Sequence, residues 1–366
     1  MTLASSAAVG PPPGMAVRLS SNESPYGPSP AALEAAARVL AEAHRYPDDQ
    51  SLALRTAIAE HEDRPLEQVA VGNGSAAVLM DLVAQVCAGA GEVLTFAHAF
   101  VVYRLAARNA GARYLEVATG PGARDARDGY ARDVDALLAA VGPDTRLVCV
   151  DNPGNPTGAH LTGEQLTALA SGLPDEVVLL IDEAYHHYAT AQRGYTTVAE
   201  LDLDHPRVVV TRTCSKAHAL AGLRVGWVSG PRELVSAVDA RRPRFNLTAP
   251  AQAAAIASLA DHEHLARGVR ATLDGRRRLA TALRAQGVQL TEGLGNFVTV
   301  ELGVPAGPVV DAYAAAGVGV RPLAPYGLHE QVRVSVGTEP EVTAFLEASS
   351  AILPPPGTPP PGVNAL

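Results

Sequence analysis

Short apolar runs alternate with stretches of helical periodicity along the middle of this chain, and that alternation constrains its fold more than any other feature. Helical patterns cover residues 31–43, 51–60 and 76–87, and strand-like runs lie near Val93, Tyr114 and Val148. Five consecutive apolar residues, Val177 to Ile181, read as a buried strand that ends in Asp182. Strands apolar on both faces belong to parallel sheets covered by helices. The expected architecture is therefore α/β: a large, mostly parallel sheet sandwiched by helices, plus a smaller α+β domain. With 366 residues and 47% hydrophobic content, the chain can bury one large core and a satellite. The reading assigns residues 46–243 to the large domain and 17–45 with 244–353 to the small one, whose strands include 296–301 and 332–336. Residues 1–16 read as a flexible arm, and the Pro- and Gly-rich stretch 354–366 as a disordered tail.

Four segments place polar side chains at the carboxyl edge of that sheet, where open α/β folds bind ligands. In TRTCSKAHALAGLRVGW, Ser215 precedes Lys216 and Arg224 follows it. An amine beside a hydroxyl and a guanidinium suits a Schiff base to an aldehyde that also carries a phosphate, a description that fits pyridoxal phosphate. Asp182, in VVLLIDEAYHHYA, would favour the protonated form of a pyridine nitrogen beside it. Asn155, in RLVCVDNPGNPTG, could donate its amide to a phenolic oxygen. In VAVGNGSAAVLMDLVAQVC, the turn through Gly74 opens a helix whose free amides at Ser75 and Ala76 can hold a phosphate. Rival structural readings remain for the same residues: a solvated surface charge at Lys216, a helix N-cap at Asp182, a core aromatic at Tyr185 and an ordinary Asn-Pro turn at Asn155.

In order, spacing and residue type, NPGNPTG, DEAY, SKAHALAGLR and VRVSVGT, with SSNESPYGP and HRYPD before them, resemble the fold-type I pyridoxal-phosphate aminotransferases, in particular the histidinol-phosphate aminotransferase branch. The resemblance runs from Leu19 to about Phe345. It implies that Lys216 forms the Schiff base and shuttles the proton at the substrate Cα. It also implies that Asp182 pairs with the ring nitrogen, and that Asn155 and Tyr185 bond the phenolic oxygen. Phe100 would stack on the ring, while Ser215, Arg224 and the Ser75 and Ala76 amides hold the phosphate. Tyr46 would reach a partner subunit's cofactor, which implies a homodimer with shared active sites. Tyr26, Arg321 and Arg333 would engage the anionic end of the substrate, guanidinium being suited to phosphate or carboxylate.

The implied reaction is a ping-pong transfer from an amino donor, histidinol phosphate in this branch, to 2-oxoglutarate. Departures from the branch pattern cluster in the expected pocket. Ala76 and Ala77 stand where an acidic pair is common, Gly154 for a usual asparagine, His98 and Ala99 for Pro-Thr, His218 for an aromatic, and Arg244 in an apolar stretch. They keep open a specialised biosynthetic enzyme on the same scaffold, an aromatic or other amino-acid aminotransferase, a decarboxylase, a γ-substituting enzyme or an oxidase. A non-catalytic cofactor-binding regulator is the reading from another class, and the chain lacks the basic helix-turn-helix such a protein would carry.

A net charge of -9 argues against nucleic acid as a partner. Residues 1–18 lack the basic start and apolar core of a secretory signal, and no apolar run approaches the length that spans a bilayer, so the expectation is a cytoplasmic protein with no membrane contact. Cys87, Cys149 and Cys214 show no metal or disulfide spacing, and Cys214, beside the lysine, reads as a buried thiol. His186 with His187, and His262 with His264, occupy helix positions that should not face one another, so no metal is assigned. Arg276, Arg277 and Arg278 read as a solvated helix face.

Overall fold

A computed structural model describes residues 16–119, 130–203 and 205–353; the expected arm before residue 16 and the tail after 353 lie outside the described residues. The large sheet has seven strands in the order Val69–Asn73, Val225–Ser229, Val208–Thr213, Val178–Asp182, Thr145–Asp151, Glu92–Phe96 and Arg113–Val117. All pairings are parallel except those of Val225–Ser229, which runs antiparallel to both neighbours. Val178–Asp182 is buried along its whole length, as its unbroken apolar run requires. The edge strand Arg113–Val117 is largely exposed and carries Arg113 and Glu116, charges of the kind that discourage edge-to-edge pairing. Helices cover both faces. Val78, Leu79, Leu82 and Tyr103 fill one side of the sheet, and Leu137, Leu166, Leu169 and Leu173 fill the other.

The smaller sheet is antiparallel, in the order Arg321–Pro322, Gln331–Ser335, Phe297–Glu301 and Gln289–Thr291. It packs through Val298, Val300, Val332 and Val334 against Leu279, Leu283 and Phe345 of the helices His262–Ala285 and Glu339–Ile352. Two helices expected in this domain lie elsewhere. Pro30–Val39 and Ala249–Ala260 share a core with Leu54, Ile58, Val69, Val71 and Trp227, so they sit against the antiparallel end of the large sheet. Their inward faces are Ala32 and Ala35, and Ala251, Ala254 and Ala255. Such small side chains let two helices and a sheet approach closely, a packing that the chain order did not foretell.

Two further expectations are corrected. His186 and His187 do face each other, with ring centroids 3.8 Å apart, because they open a helix of only five residues, and His187 meets His218 edge-on at 4.9 Å. Among the described residues no group of three or more metal-ligating side chains converges. Arg276 is buried, with its guanidinium on the Gly295 carbonyl at 2.7 Å and on Gln192, whereas Arg277 is exposed.

Burial pushes the His218 imidazole down to about 4 from an ordinary 6.5. In this window the unfolded chain binds the proton and the folded chain does not, so stability present above pH 6.5 is lost as pH falls through 4. The loss assignable to His218 is about 3 kcal/mol. His218→Phe is expected to flatten this acid limb in denaturant titrations at pH 7 and 4.5; an unchanged pH dependence would contradict the assignment.

Candidate active site

The carboxyl ends of the parallel strands, the turns after them and the start of helix Ser75–Val86 enclose a cleft. It is lined by Ser75, Ala76, Phe100, Asp151, Pro153, Asn155, Asp182, Ala184, Tyr185, Thr213, Ser215, Lys216 and Arg224. Segments that lie far apart in the chain meet there because each follows a strand of one sheet. Lys216 is the one lysine in the entire sequence. Its Nζ lies 3.4 Å from the carbonyl oxygens of Ser21 and Asn22 and 5.5 Å from the Tyr185 ring centroid. Burial, then the positive charges of Arg333 and Arg224, lower its pKa to about 8, which raises the neutral, nucleophilic fraction near neutral pH. The solvated-surface reading of this residue therefore fails.

Asp182 ends its strand on the cleft floor. Its Oδ2 accepts from the Tyr103 hydroxyl at 3.2 Å and its Oδ1 from the Ala184 amide at 3.2 Å. The next helix begins at His186 with Tyr185 at its cap position, so Asp182 is not an N-cap. Burial, with the Asp151 carboxylate as a second cause, pushes the Asp182 carboxyl up to about 7, a cost that a cation opposite it would relieve. The Tyr185 hydroxyl accepts from Asn22 Nδ2 at 2.9 Å, and burial raises its pKa to about 12.

An anion cradle lies at one end of the cleft. Arg224 adopts a left-handed backbone, φ 57°, and its Nη1 donates to Ser215 Oγ at 3.3 Å. Its guanidinium passes over Gly74, where a Cβ would lie 2.3 Å from Nη2. Gly226 plays the same part from below, since a Cβ there would lie 2.2 Å from the Ser75 amide nitrogen. Both glycines keep cations and helix amides free to converge on one anion.

At the small-domain side, Arg333 is 4% exposed. Its guanidinium donates to Asn155 Oδ1 and, at 2.7 Å, to the Ser20 carbonyl, while its Nε has no partner. Every partner is neutral. A buried cation without a carboxylate is costly, and an anionic substrate would supply the missing charge. Because Asn155 Oδ1 is occupied by Arg333, its amide nitrogen is the group left to face the cleft.

Other expected residues stand outside this cleft. Arg321 pairs in register with Arg333 on the adjacent strand and is half-buried. Tyr26 is 39% exposed and donates to the Ala271 carbonyl at 3.2 Å. Tyr46 is 81% exposed and stacks on Phe245 at 4.5 Å. Two of the departures from the branch pattern also lie off the cleft: His218 bonds Ser258 Oγ at 2.9 Å, and Arg244 faces Asp49 at 3.4 Å with its side chain 81% exposed. His98 instead joins the two domains, its Nδ1 2.7 Å from the Tyr326 carbonyl. Cys214 is buried, its thiol pushed up to about 12.

Sequence reasoning missed Asn22, Tyr103, Asp151 and Arg132. Asn22 holds a left-handed backbone at φ 53°. Its side chain bonds Tyr185 and Ser335, and its carbonyl accepts from Asn296 and lies near Lys216. The one available signal was its place in SSNESPYGP.

A lone half-buried amine, an anion cradle and a carboxylate able to face a ring nitrogen suit an enzyme that works through a bound aldehyde, and the chain belongs to the class I and II aminotransferases, whose family model matches residues 15–348. Within that family it is similar to the histidinol-phosphate aminotransferase 2 of Methylococcus capsulatus, 40% identical over 93% of this chain and 91% of the relative. It is also similar to the histidinol-phosphate aminotransferase 1 of Nitrosococcus oceani, 36% identical over 92% and 89%. Among solved structures, the histidinol-phosphate aminotransferase of Sinorhizobium meliloti in complex with pyridoxal-5'-phosphate matches with a TM-score of 0.83 and 29% identity over 93% of this chain and 91% of that one.

Proposed function

We propose that this chain transfers an amino group from histidinol phosphate to 2-oxoglutarate, with pyridoxal 5'-phosphate carried on Lys216 in a cytoplasmic homodimer. The observation that carries the reading is the single lysine, half-buried in a cleft with an anion cradle at one end and with Asn155 in its lining, which Arg333 holds from behind. The names of the similar proteins supply the substrate. When bound, the cofactor supplies a conjugated ring that accepts the electron pair left on the substrate carbon as its proton departs.

The residues around the ring do the remaining work. The Ser75 and Ala76 amides, Ser215 Oγ and Arg224 hold the phosphate. Asp182 keeps the ring nitrogen protonated, and Tyr103 and the Ala184 amide hold that carboxylate in place. Phe100 covers the ring face, while Asn155 and Tyr185 address the phenolic oxygen. Lys216 Nζ would take the proton from the substrate carbon and return it one position away. Arg333 receives an anionic end of donor or acceptor, with Arg321 opposite it on the neighbouring strand. Tyr46 enters the partner's cleft. The 81% exposure of Tyr46, with its ring stacked only on Phe245 among the described residues, is compatible with that role.

Incubation with histidinol phosphate and 2-oxoglutarate is expected to yield glutamate. No glutamate, in a preparation that transaminates another amine, would remove histidinol phosphate. Covalent uptake of pyridoxal phosphate by the apoprotein is expected to quicken with pH to a midpoint near 8, because only the neutral amine attacks and burial has lowered its pKa from 10.5. Stopped-flow absorbance gives that midpoint, and a value close to 10.5 would contradict the burial argument.

A further inference from the structure

Two carboxylates end neighbouring strands on the cleft floor, since Asp151 stands in register opposite Asp182. Asp182 is accounted for by the ring nitrogen. Asp151 faces other partners. Its Oδ2 accepts from the Phe100 amide at 3.2 Å and from the Asn155 amide at 2.9 Å. Its Oδ1 takes Arg132 Nη2 at 2.5 Å, and Arg132 Nη1 donates to the Asp151 carbonyl at 2.5 Å. Both side chains are almost completely buried, at 3% and 5% exposure, and the guanidinium lies over the Phe96 ring at 5.4 Å. Room for it exists because residue 154 is glycine: a Cβ there would lie 2.3 Å from Arg132 Nη2 and 3.3 Å from the Ala159 carbonyl.

The geometry points to Asp151 as a positioning residue that fixes Phe100 and Asn155 relative to each other, with Arg132 as its counter-charge and Gly154 as the space that admits Arg132. Phe100 begins the helix Val101–Ala110 without a side-chain cap, and Asn155 lies in a turn, so neither backbone is pinned by its own element. One carboxylate oxygen spans both. Arg132 keeps this second carboxylate from adding an unbalanced negative charge beside Asp182, whose carboxyl Asp151 already pushes up. The inference rests on the proposed contacts of Phe100 and Asn155 with the cofactor. It also explains why glycine stands where the resembling branch usually has asparagine: a side chain there would displace the guanidinium.

The test titrates the full-length apoproteins with pyridoxal phosphate and follows the absorption band of the loaded proteins against pH. Gly154→Ala and Arg132→Ala are each expected to weaken cofactor binding about tenfold or more, the order lost with one hydrogen bond to a charged group. Both should also move the pH midpoint of the band. The double variant should bind no worse than the weaker single, because both changes remove the same pairing. Asp151→Asn combined with Arg132→Gln, which cancels both charges together and leaves a carboxamide oxygen to accept from the Phe100 and Asn155 backbone amides, should recover part of the loss seen in Arg132→Gln alone. Additive losses in the alanine pair, an unmoved midpoint, or no recovery in the neutral pair would each overturn the inference. Should Gly154→Ala not fold by circular dichroism, the neutral pair decides the matter. If the unaltered protein takes up no pyridoxal phosphate, the functional reading fails first; additive losses in a protein that does take it up defeat this inference alone.

Discussion

Lys216→Ala is expected to lower turnover by about 10⁴-fold or more, the upper end of what a general acid–base group contributes, since the same nitrogen also carries the cofactor. The size of the effect follows from the sequence as much as from the site. No other lysine exists in the chain, so no neighbouring ε-amine can take over. The variant should fold, because Nζ makes two long contacts of 3.4 Å, to carbonyl oxygens of the Ser21–Asn22 segment, and a cation–ring contact with Tyr185, none of them to a charged partner. Its pairing of near-native circular dichroism with absent turnover separates loss of chemistry from loss of structure. Turnover within tenfold of the unaltered protein would remove Lys216 from the mechanism.

Asp182→Asn is expected to move activity and stability in opposite directions. The carboxamide oxygen can still accept from the Ala184 amide and its nitrogen can donate to the Tyr103 hydroxyl oxygen, so both contacts keep a partner while the charge facing the ring nitrogen disappears. Removing one partner of a buried ion pair costs about 3–5 kcal/mol, which corresponds to a loss of about 10²–10⁴-fold in kcat. The apoprotein should gain stability. Burial raises the Asp182 pKa from 3.8 to about 7, so the folded state holds a proton that the unfolded chain has released between these values. Stability that is full below pH 3.8 is therefore lost as pH rises through 7, and asparagine avoids a cost on the order of 4 kcal/mol at pH 8. Apoprotein melting at pH 5 and pH 8 reads this directly: the variant's advantage should be larger at pH 8. An Asp182→Asn apoprotein that melts earlier at pH 8, or keeps its kcat, would refute the pairing.

Much of this site was legible because its residues are tied to strand ends. An apolar run that stops at Asp182, and another that stops before Asn155, must deliver those side chains to one edge of one sheet, whatever the remainder of the chain does. Ser215, Lys216 and Arg224 follow by the same logic from the strands Val208–Thr213 and Val225–Ser229. The residues that were missed depend on contacts with no local signature. Asn22 meets Ser335 across 313 positions, and Arg132 reaches Asp151 only because Gly154 lacks a side chain. The sheet pairing that sets Asp151 opposite Asp182 requires knowing which strands are neighbours. The helices Pro30–Val39 and Ala249–Ala260 fell into the small domain by chain order, whereas their partners are set by close approach of small alanine faces, which chain order does not reveal. The clearest mark of the cofactor nitrogen, a single lysine among so many arginines, was open to a simple count.

The central claim is a covalent bond between Lys216 Nζ and pyridoxal phosphate, and one measurement reaches it directly. The protein is loaded with the cofactor, reduced with borohydride, digested and mapped by mass spectrometry. The account predicts a single phosphopyridoxyl adduct, on the peptide that contains Lys216. An adduct confined to the chain's amino terminus, or no adduct in protein that remains folded, would contradict it.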